Sequence, residues 1–438
     1  MLNAAARLIV ACLACFYLCA TTARGESPAA APAPAVVEAP VPVPEPTARA
    51  VEYHRTGNML WLAGMAWSFA VPLVILASGA SVRMRDLAGR LRFGPLIVGG
   101  YVVLYILLTE LVDLPLGYYL GYVRPHAYGL SVQTLGHWLG NVAKGTAVAL
   151  VLAPLLAWIP FWLLRRSPRL WWLWAGLLVL PLLCLTLLAK PIAFDPLFNE
   201  FGPMKDRALE GRILDLASRA GIQGSRVFEV DKSRDTKTVN AYVTGFMGTK
   251  RIVLWDTLIA KLEPDEVLAV MGHEMGHYVL GHVVRSIALS TFGALLVLYA
   301  VHRLAGSALR RFGPSLGISV LHDPAALPLL AVLIQGVALL TSPVALAYSR
   351  AQEHEADRFS LELIRANRPA ALAFAKLQGE NLSIPYPHPL VKFWRSTHPS
   401  IGERIDFCNA YRPWETGQPL WYEGLFSAGG GSRPARSE

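Results

Sequence analysis

His273 and His277, in the run His273-Glu274-Met275-Gly276-His277, stand four residues apart. On a helix their imidazoles therefore lie one turn above each other on the same face. Glu274 sits beside them, placed to reach a water held on a metal that both imidazoles bind. Imidazole and carboxylate are ligands that zinc prefers, and a catalytic zinc site combines three protein ligands with a water. The metal lowers the pKa of that water and the glutamate accepts its proton, which gives a nucleophile at neutral pH. The same spacing also arises by chance on surface helices with two solvated histidines, so a third ligand and a supporting fold must be found.

The best candidate for that ligand is Glu353, in the run Ser349-Arg350-Ala351-Gln352-Glu353-His354-Glu355-Ala356-Asp357. Glu353 and Asp357 are four apart and share a helix face. One can bind the metal while the other accepts a hydrogen bond from a ligand imidazole and fixes its tautomer. Glu353 and Glu355 differ by about 200° around a helix, so they cannot both serve, and His354, about 100° from Glu353, reads as a solvated neighbour. His282, five residues after His277, is expected to point away from the motif's face and to be an interfacial side chain. His398, in Ser396-Thr397-His398-Pro399-Ser400, is a candidate donor to a developing oxyanion.

These residues need elements to hold them, and the composition says what kind. Of 438 residues 54% are hydrophobic and only 16% charged, with mean hydropathy +0.40. Several membrane spans account for that apolar excess better than a soluble core does. The net charge of +9 comes from arginines in short segments between apolar runs, which points to membrane topology and not to nucleic acid. The cysteines, Cys12, Cys15, Cys19, Cys184 and Cys408, show neither zinc-site spacing nor a disulfide framework.

Residues 1–25 read as a signal peptide or a short first span, with Arg7 ahead of an apolar run and Ala23-Arg24-Gly25 ahead of a possible cut. Residues 26–58 are expected to be an Ala/Pro-rich linker, extended and outside any fold from Ser27 to Pro46. Residues 59–189 hold four expected spans, about Met59–Ser78, Pro95–Leu114, Thr146–Leu164 and Leu170–Ala189. Two more, Ile287–Leu304 and Ala325–Tyr348, fill 287–348. Glu110 and Asp113, late in the second span, are expected to face water at a helix end. Between these halves, 190–286 reads as mixed: a helix over Pro203–Gly221, strands at Val227–Val230, Val239–Val243 and Arg251–Leu254, then a helix opened by Glu263-Pro264-Asp265-Glu266 that runs through the histidine motif. Residues 349–425 read as polar and helical, and 426–438 as a disordered tail.

The chain resembles the type I CAAX prenyl endopeptidases and their bacterial relatives, membrane metalloproteases of the gluzincin type. The resemblance covers roughly residues 60–412. Besides the histidine motif it rests on Gly129-Leu130-Ser131-Val132-Gln133-Thr134, Pro196-Leu197-Phe198-Asn199-Glu200-Phe201, Asn240-Ala241-Tyr242-Val243-Thr244-Gly245, Lys250-Arg251-Ile252-Val253-Leu254 and Asp256-Thr257-Leu258. It implies that His273, His277 and Glu353 bind one Zn2+ per chain, that Glu274 is the general base, and that Asp357 supports a ligand. It implies that His398 and Arg404 stabilise the tetrahedral intermediate and that Asn240, Ala241 and Tyr242 lie on the strand that pairs with the substrate backbone. The fold it implies is an all-α polytopic membrane protein with a small α+β metalloprotease domain, its transmembrane helices ringed around an internal chamber.

The expected function is thus a zinc endopeptidase acting on peptides or C-terminal protein segments, with the lipid bilayer as its setting and no nucleic-acid partner. A membrane quality-control metalloprotease acting on misfolded proteins is the alternative. A transporter with a structural metal fits less well, because intramembrane ionisable residues are few and such a metal has no use for Glu274. An intramembrane protease carries its motif within a hydrophobic span, whereas Asp265, Glu266 and Arg285 flank this one. Family members usually face the cytosol. Here an N-terminus inside places Arg83, Arg85, Arg90, Arg92, Arg165, Arg166, Arg169, Arg303, Arg310 and Arg311 inside too, while the outer segment 115–145 holds only Arg124 and Lys144. The charge bias therefore predicts a bacterial inner-membrane protein with its site on the periplasmic side.

Overall fold

The computed structural model describes residues 39–244 and 251–426. The signal-like run 1–25 and the tail from 427 onward lie outside the described residues. Among the described residues six helices are long and apolar enough to cross a membrane: Ala48–Ala77, Gly94–Ala127, Leu135–Arg166, Trp171–Phe198, His282–Leu316 and Pro324–Ile364. Their regular α-helical parts are α1 (Ala48–Ala77), α2 (Gly94–Tyr118), α3 (Leu135–Arg166) and α4 (Trp171–Ala189), then α7 (His282–Leu316) and α8 (Leu327–Ile364) beyond the polar segment.

Prolines sit inside these helices at Pro72, Pro115, Pro154, Pro160, Pro181, Pro314 and Pro343 without ending them. In lipid a broken helix would expose unpaired backbone groups, so the helical state survives where water would allow a break. Helix α4 packs on α7, α2 on α3, and α8 on α1. No more than 17% of the most apolar window of any span is buried, and none of it in α7. A solid bundle buries a continuous stripe on each helix. Here the helices meet along narrow seams and most of each apolar window stays accessible.

The segment expected to be a free linker behaves otherwise. Thr47 caps α1 by accepting from Ala50 N at 3.1 Å, so the first span begins at Ala48 and not near Met59. Ahead of it Val41 is buried at 5% exposure. Its N–H donates to Asn409 Oδ1 at 3.0 Å and its carbonyl accepts from Asn409 Nδ2 at 2.9 Å. Gln378 Nε2 donates to Pro44 O at 2.7 Å. Proline removes donors but keeps acceptors and apolar rings, and a groove on the polar domain that offers amide donors uses both.

That domain begins with β1 (Phe201–Pro203), α5 (Arg207–Arg219), β2 (Arg226–Val230), β3 (Ala241–Thr244) and β4 (Arg251–Trp255). The sheet order is β1-β2-β4-β3, with β2 parallel to β4 and the outer pairs antiparallel. The strand expected at Val239–Val243 is therefore an edge strand. The helix expected from Pro203 starts at Arg207, because Phe201–Pro203 pair with β2 and Asp206 caps the helix through Leu209 N at 2.9 Å. Leu209, Ile213 and Leu216 of α5 meet Ile252 and Leu254 of β4 in one core. Val267, Met271 and Met275 of α6 (Pro264–Val279) close it, with Phe359 of α8.

Helix α8 is continuous for 38 residues. At 1.5 Å per residue that is roughly 57 Å, well beyond a hydrocarbon core of about 30 Å. Tyr348-Ser349-Arg350-Ala351 contains no helix breaker, so at this point the surroundings change from apolar to polar and the backbone does not. The last span and the Glu353 segment, expected as separate units, are one rod. Helices α9 (Asn367–Glu380), α10 (Pro389–Arg395) and α11 (Ile401–Ala410) complete the domain.

Candidate metal centre and active site

Helix α6 begins with Pro264 at its first position and with Glu263 N donating to Glu266 Oε2 at 2.8 Å. It lies directly on α8, and two glycines make the approach close. A Cβ on Gly276 would stand 3.1 Å from Ala356 Cα, and one on Gly272 would stand 2.7 Å from Ser360 Oγ. Ser360 Oγ instead donates to Ala269 O at 2.7 Å. These small residues, four apart, let the histidine helix sit against the carboxylate helix.

The result is one cluster. His273, His277 and Glu353 each offer a ligand atom, all within 4.8 Å of one another, and they form the one such group among the described residues. His273 Nε2 lies 3.1 Å from His277 Nε2 and 3.2 Å from Glu353 Oε2, and His277 Nε2 lies 3.4 Å from Glu353 Oε1. For ligand arms of about 2.0–2.1 Å the edge of a tetrahedron is roughly 3.3–3.4 Å. Glu353 Oε2 is buried and has no hydrogen-bond partner. Buried carboxylate oxygens are normally paired, so an orphan at this vertex is what a ligand atom awaiting a cation looks like. The donor set and its spacing fit a small divalent metal.

Support for His273 comes from beneath. Its Nδ1 lies 2.8 Å from Asp357 Oδ1, and Arg404 converges on the same carboxylate, Nε to Oδ2 at 2.9 Å and one terminal nitrogen to Oδ1 at 2.6 Å. A carboxylate only accepts, so His273 donates from Nδ1 and keeps the Nε2 lone pair for the metal. Burial and Arg404 oppose a charge on this imidazole, but Asp357 and Glu353 outweigh them and raise it to about 9. Burial lowers His277. Burial pushes the Glu274 carboxyl up to about 7, which poises it to exchange a proton near neutrality.

Arg404 is only 9% exposed, paired with Asp357 and 4.1 Å from the ring centroid of Phe374, with a terminal nitrogen 3.4 Å from His273 Nε2 and 3.9 Å from Glu353 Oε2. Asp357 holds it protonated against its burial. His398 does reach the open face: its side chain is half exposed, its Nε2 is 3.3 Å from Glu353 Oε1, and its Nδ1 meets Thr397 Oγ1 at 2.7 Å. His354 is apart, tilted against Phe407 with 4.4 Å between ring centroids. Asp113 accepts from Trp67 Nε1 at 2.7 Å, a contact between spans and not a bare helix end.

Strand β3 lies against α6 and among the described residues pairs only with β4, which leaves its second edge free there. Trp255 N donates to Asn240 O at 3.1 Å, so by antiparallel alternation Ala241 and Val243 direct their N–H groups to that free edge. Ala241 N is met there by Asn240 Oδ1 at 2.8 Å. The loop before β3 is fastened to the membrane half: Ser131 bridges Thr236, and Lys237 N donates to Leu130 O at 3.0 Å.

One neighbour escaped the sequence reading. His282 is 3% exposed and its Nδ1 lies 2.8 Å from His277 Nδ1. The expectation that it points away assumed a continuous helix. Gly281 adopts φ +68° and ends α6, so the chain turns and His282 swings back. Gly281 just past the periodic run was the available signal.

Comparison with known proteins gives concordant findings. A family model described as "Peptidase family M48" matches residues 203–411, and one described as "CAAX prenyl protease N-terminal, five membrane helices" matches 31–200. An uncharacterized metalloprotease, YhfN, of Bacillus subtilis is 36% identical over 359 residues, covering 82% of this chain and 84% of that one. The CAAX prenyl protease 1 homolog of Arabidopsis thaliana is 34% identical over 312 residues, covering 68% and 70%. The crystal structure of S. mikatae Ste24p superposes with a TM-score of 0.71 at 24% identity, covering 82% of this chain and 87% of that one, and shares the fold.

Proposed function

The chain belongs to peptidase family M48 as a membrane metalloendopeptidase of the CAAX prenyl protease 1 type, and from that premise we propose that it cleaves peptide bonds with one zinc ion held by His273, His277 and Glu353. The observation that carries this reading is the convergence of two imidazole Nε2 atoms 3.1 Å apart with the Glu353 carboxylate, whose Oε2 lies 3.2 Å from His273 and is buried without a hydrogen-bond partner and whose Oε1 lies 3.4 Å from His277. Zinc bound there supplies Lewis acidity, which polarises the scissile carbonyl and acidifies water. Glu274 takes the proton from the attacking water and passes it to the departing amine. His398 donates from the open side to the oxygen that becomes negative. Asp357 holds His273, and Arg404 holds Asp357.

The substrate is a peptide or a C-terminal protein segment laid along the free edge of β3, the strand that Asn240-Ala241-Tyr242 opens, where the outward backbone groups of Ala241 and Val243 provide the pairing. The fastening of Leu130 and Ser131 to the loop before β3 makes the membrane half part of the substrate site, which speaks against the quality-control alternative. We place the protein in a bacterial inner membrane with the site facing the periplasm. The arginines of 83–92, 165–169 and 303–311 support this reading, since the charge rule assigns such segments to the cytoplasmic side.

The test is metal exchange on the purified full chain in detergent. Dialysis against a chelator should remove one zinc per chain and all peptide hydrolysis, and stoichiometric zinc should restore both. Undiminished hydrolysis by metal-free protein would overturn the proposal.

A further inference from the structure

We propose that His282 and Glu355 are positioning residues that fix the tautomer and rotation of His277, so that its Nε2 lone pair is held toward the metal. This rests on the reading of His277 as a ligand. Glu355 Oε2 lies 3.1 Å from His282 Nε2 and accepts from an Arg285 terminal nitrogen at 2.7 Å. A carboxylate oxygen can only accept, and neutral imidazole has one N–H and one lone pair. His282 therefore donates from Nε2 and presents its Nδ1 lone pair. The nitrogen that lone pair meets among the described residues is His277 Nδ1 at 2.8 Å, so His277 donates from Nδ1 and keeps Nε2 free of a proton. Glu355 thus sets the proton position on a ligand it does not touch.

His273 receives the same instruction directly, from Asp357. The two ligand imidazoles are oriented by two carboxylates, one in contact and one acting through His282. The relay is itself held. Gln352 Nε2 donates to His282 O at 3.2 Å, and Ser286 Oγ donates to Gln352 Oε1 at 3.0 Å. It runs outward, from His282 at 3% exposure to Glu355 and Arg285 near the surface. The left-handed turn at Gly281 makes it possible. It also explains the geometric exclusion of Glu355 from the metal: the side of α8 that carries Glu355 faces His282 while the side that carries Glu353 faces the ligands.

The experiment reads zinc affinity, by competition with a chromophoric chelator, on the full chain in detergent. His282→Leu should weaken zinc binding 10–100-fold, the usual effect of removing a ligand's hydrogen-bond partner, with the melting temperature of the metal-free protein unchanged. His282→Gln, whose amide oxygen can accept the Nδ1 proton, should recover most of the affinity. Glu355→Ala should weaken binding in the same direction and add nothing in the His282→Leu background. Wild-type affinity in His282→Leu overturns the relay while leaving the zinc site intact. A lowered metal-free melting temperature with no recovery in His282→Gln also overturns it, since that is the mark of packing alone. Wild-type protein that binds no zinc overturns the relay and the proposed function together.

Discussion

Asp357 takes the His273 Nδ1 proton and both reaching nitrogens of Arg404, in a place where almost no surface is open to water. A charge so buried is tolerable only while paired. Arg404→Leu should therefore cost about 3–5 kcal/mol of stability in denaturant unfolding and weaken metal binding as His273 loses its anchor. A turnover defect with stability and metal affinity untouched would return Arg404 to the substrate. His273 gives the pH dependence. Its folded, metal-free pKa, about 9, lies above the ordinary 6.5, so its proton stabilises the metal-free fold fully below pH 6.5. That contribution fades as pH rises toward 9. The melting temperature of metal-free protein should fall across this range, and a flat profile would contradict the assignment. His273 with His277 and Glu353 with Asp357 were legible as candidates because helical spacing puts each pair on one face, and Glu274 because it adjoins His273 in the same motif. The partners of Arg404 were not, since a motif gives a residue's company but not the direction in which its side chain leaves the helix.

At the scale of elements, the misreadings have local causes. His282 was misplaced because a single left-handed glycine, Gly281, converts a helix face into a corner. The helix carrying Glu353 was split from its span because hydropathy changes at Ser349 while helix propensity does not. Val41–Pro46 was set aside as linker because proline density predicts an extended backbone correctly but says nothing of what that backbone binds. Gly272 and Gly276, unremarked in the sequence, set the distance between α6 and α8. The strand best suited to pair with substrate, β3, was recognisable, but its place at the sheet edge was not, because order within a sheet is decided by long-range pairing. Val243→Pro tests that edge. It removes an outward N–H and spares the ladder to β4, so it should raise KM for peptide about 10-fold over Val243→Ala, near the 1.4 kcal/mol of one hydrogen bond, with the melting temperature kept. An unchanged KM would remove β3 from substrate binding.

The whole molecule couples a ring of six described spans to a domain whose elements come from both sides of the last two. The number of spans was legible, because lipid enforces long apolar runs; the full length of their helices was not, because Ala48–Ala77 starts and Leu327–Ile364 ends in polar sequence that hydropathy does not mark as helix. At this scale the proposed orientation, with the site facing the periplasm, follows from the placement of the arginines. Alkaline phosphatase fused after Glu423 should be active in a bacterial host; activity only from a cytosolic reporter at the same position would reverse the orientation. The central claim, that Glu274 turns a bound metal into a peptidase, is tested most directly by measuring zinc content and peptide hydrolysis together on Glu274→Gln. The substitution removes the base and keeps the shape, so one zinc per chain should remain while turnover falls by about 10²–10⁴-fold or more. A variant that keeps its zinc and still cleaves peptide at the wild-type rate would contradict the account.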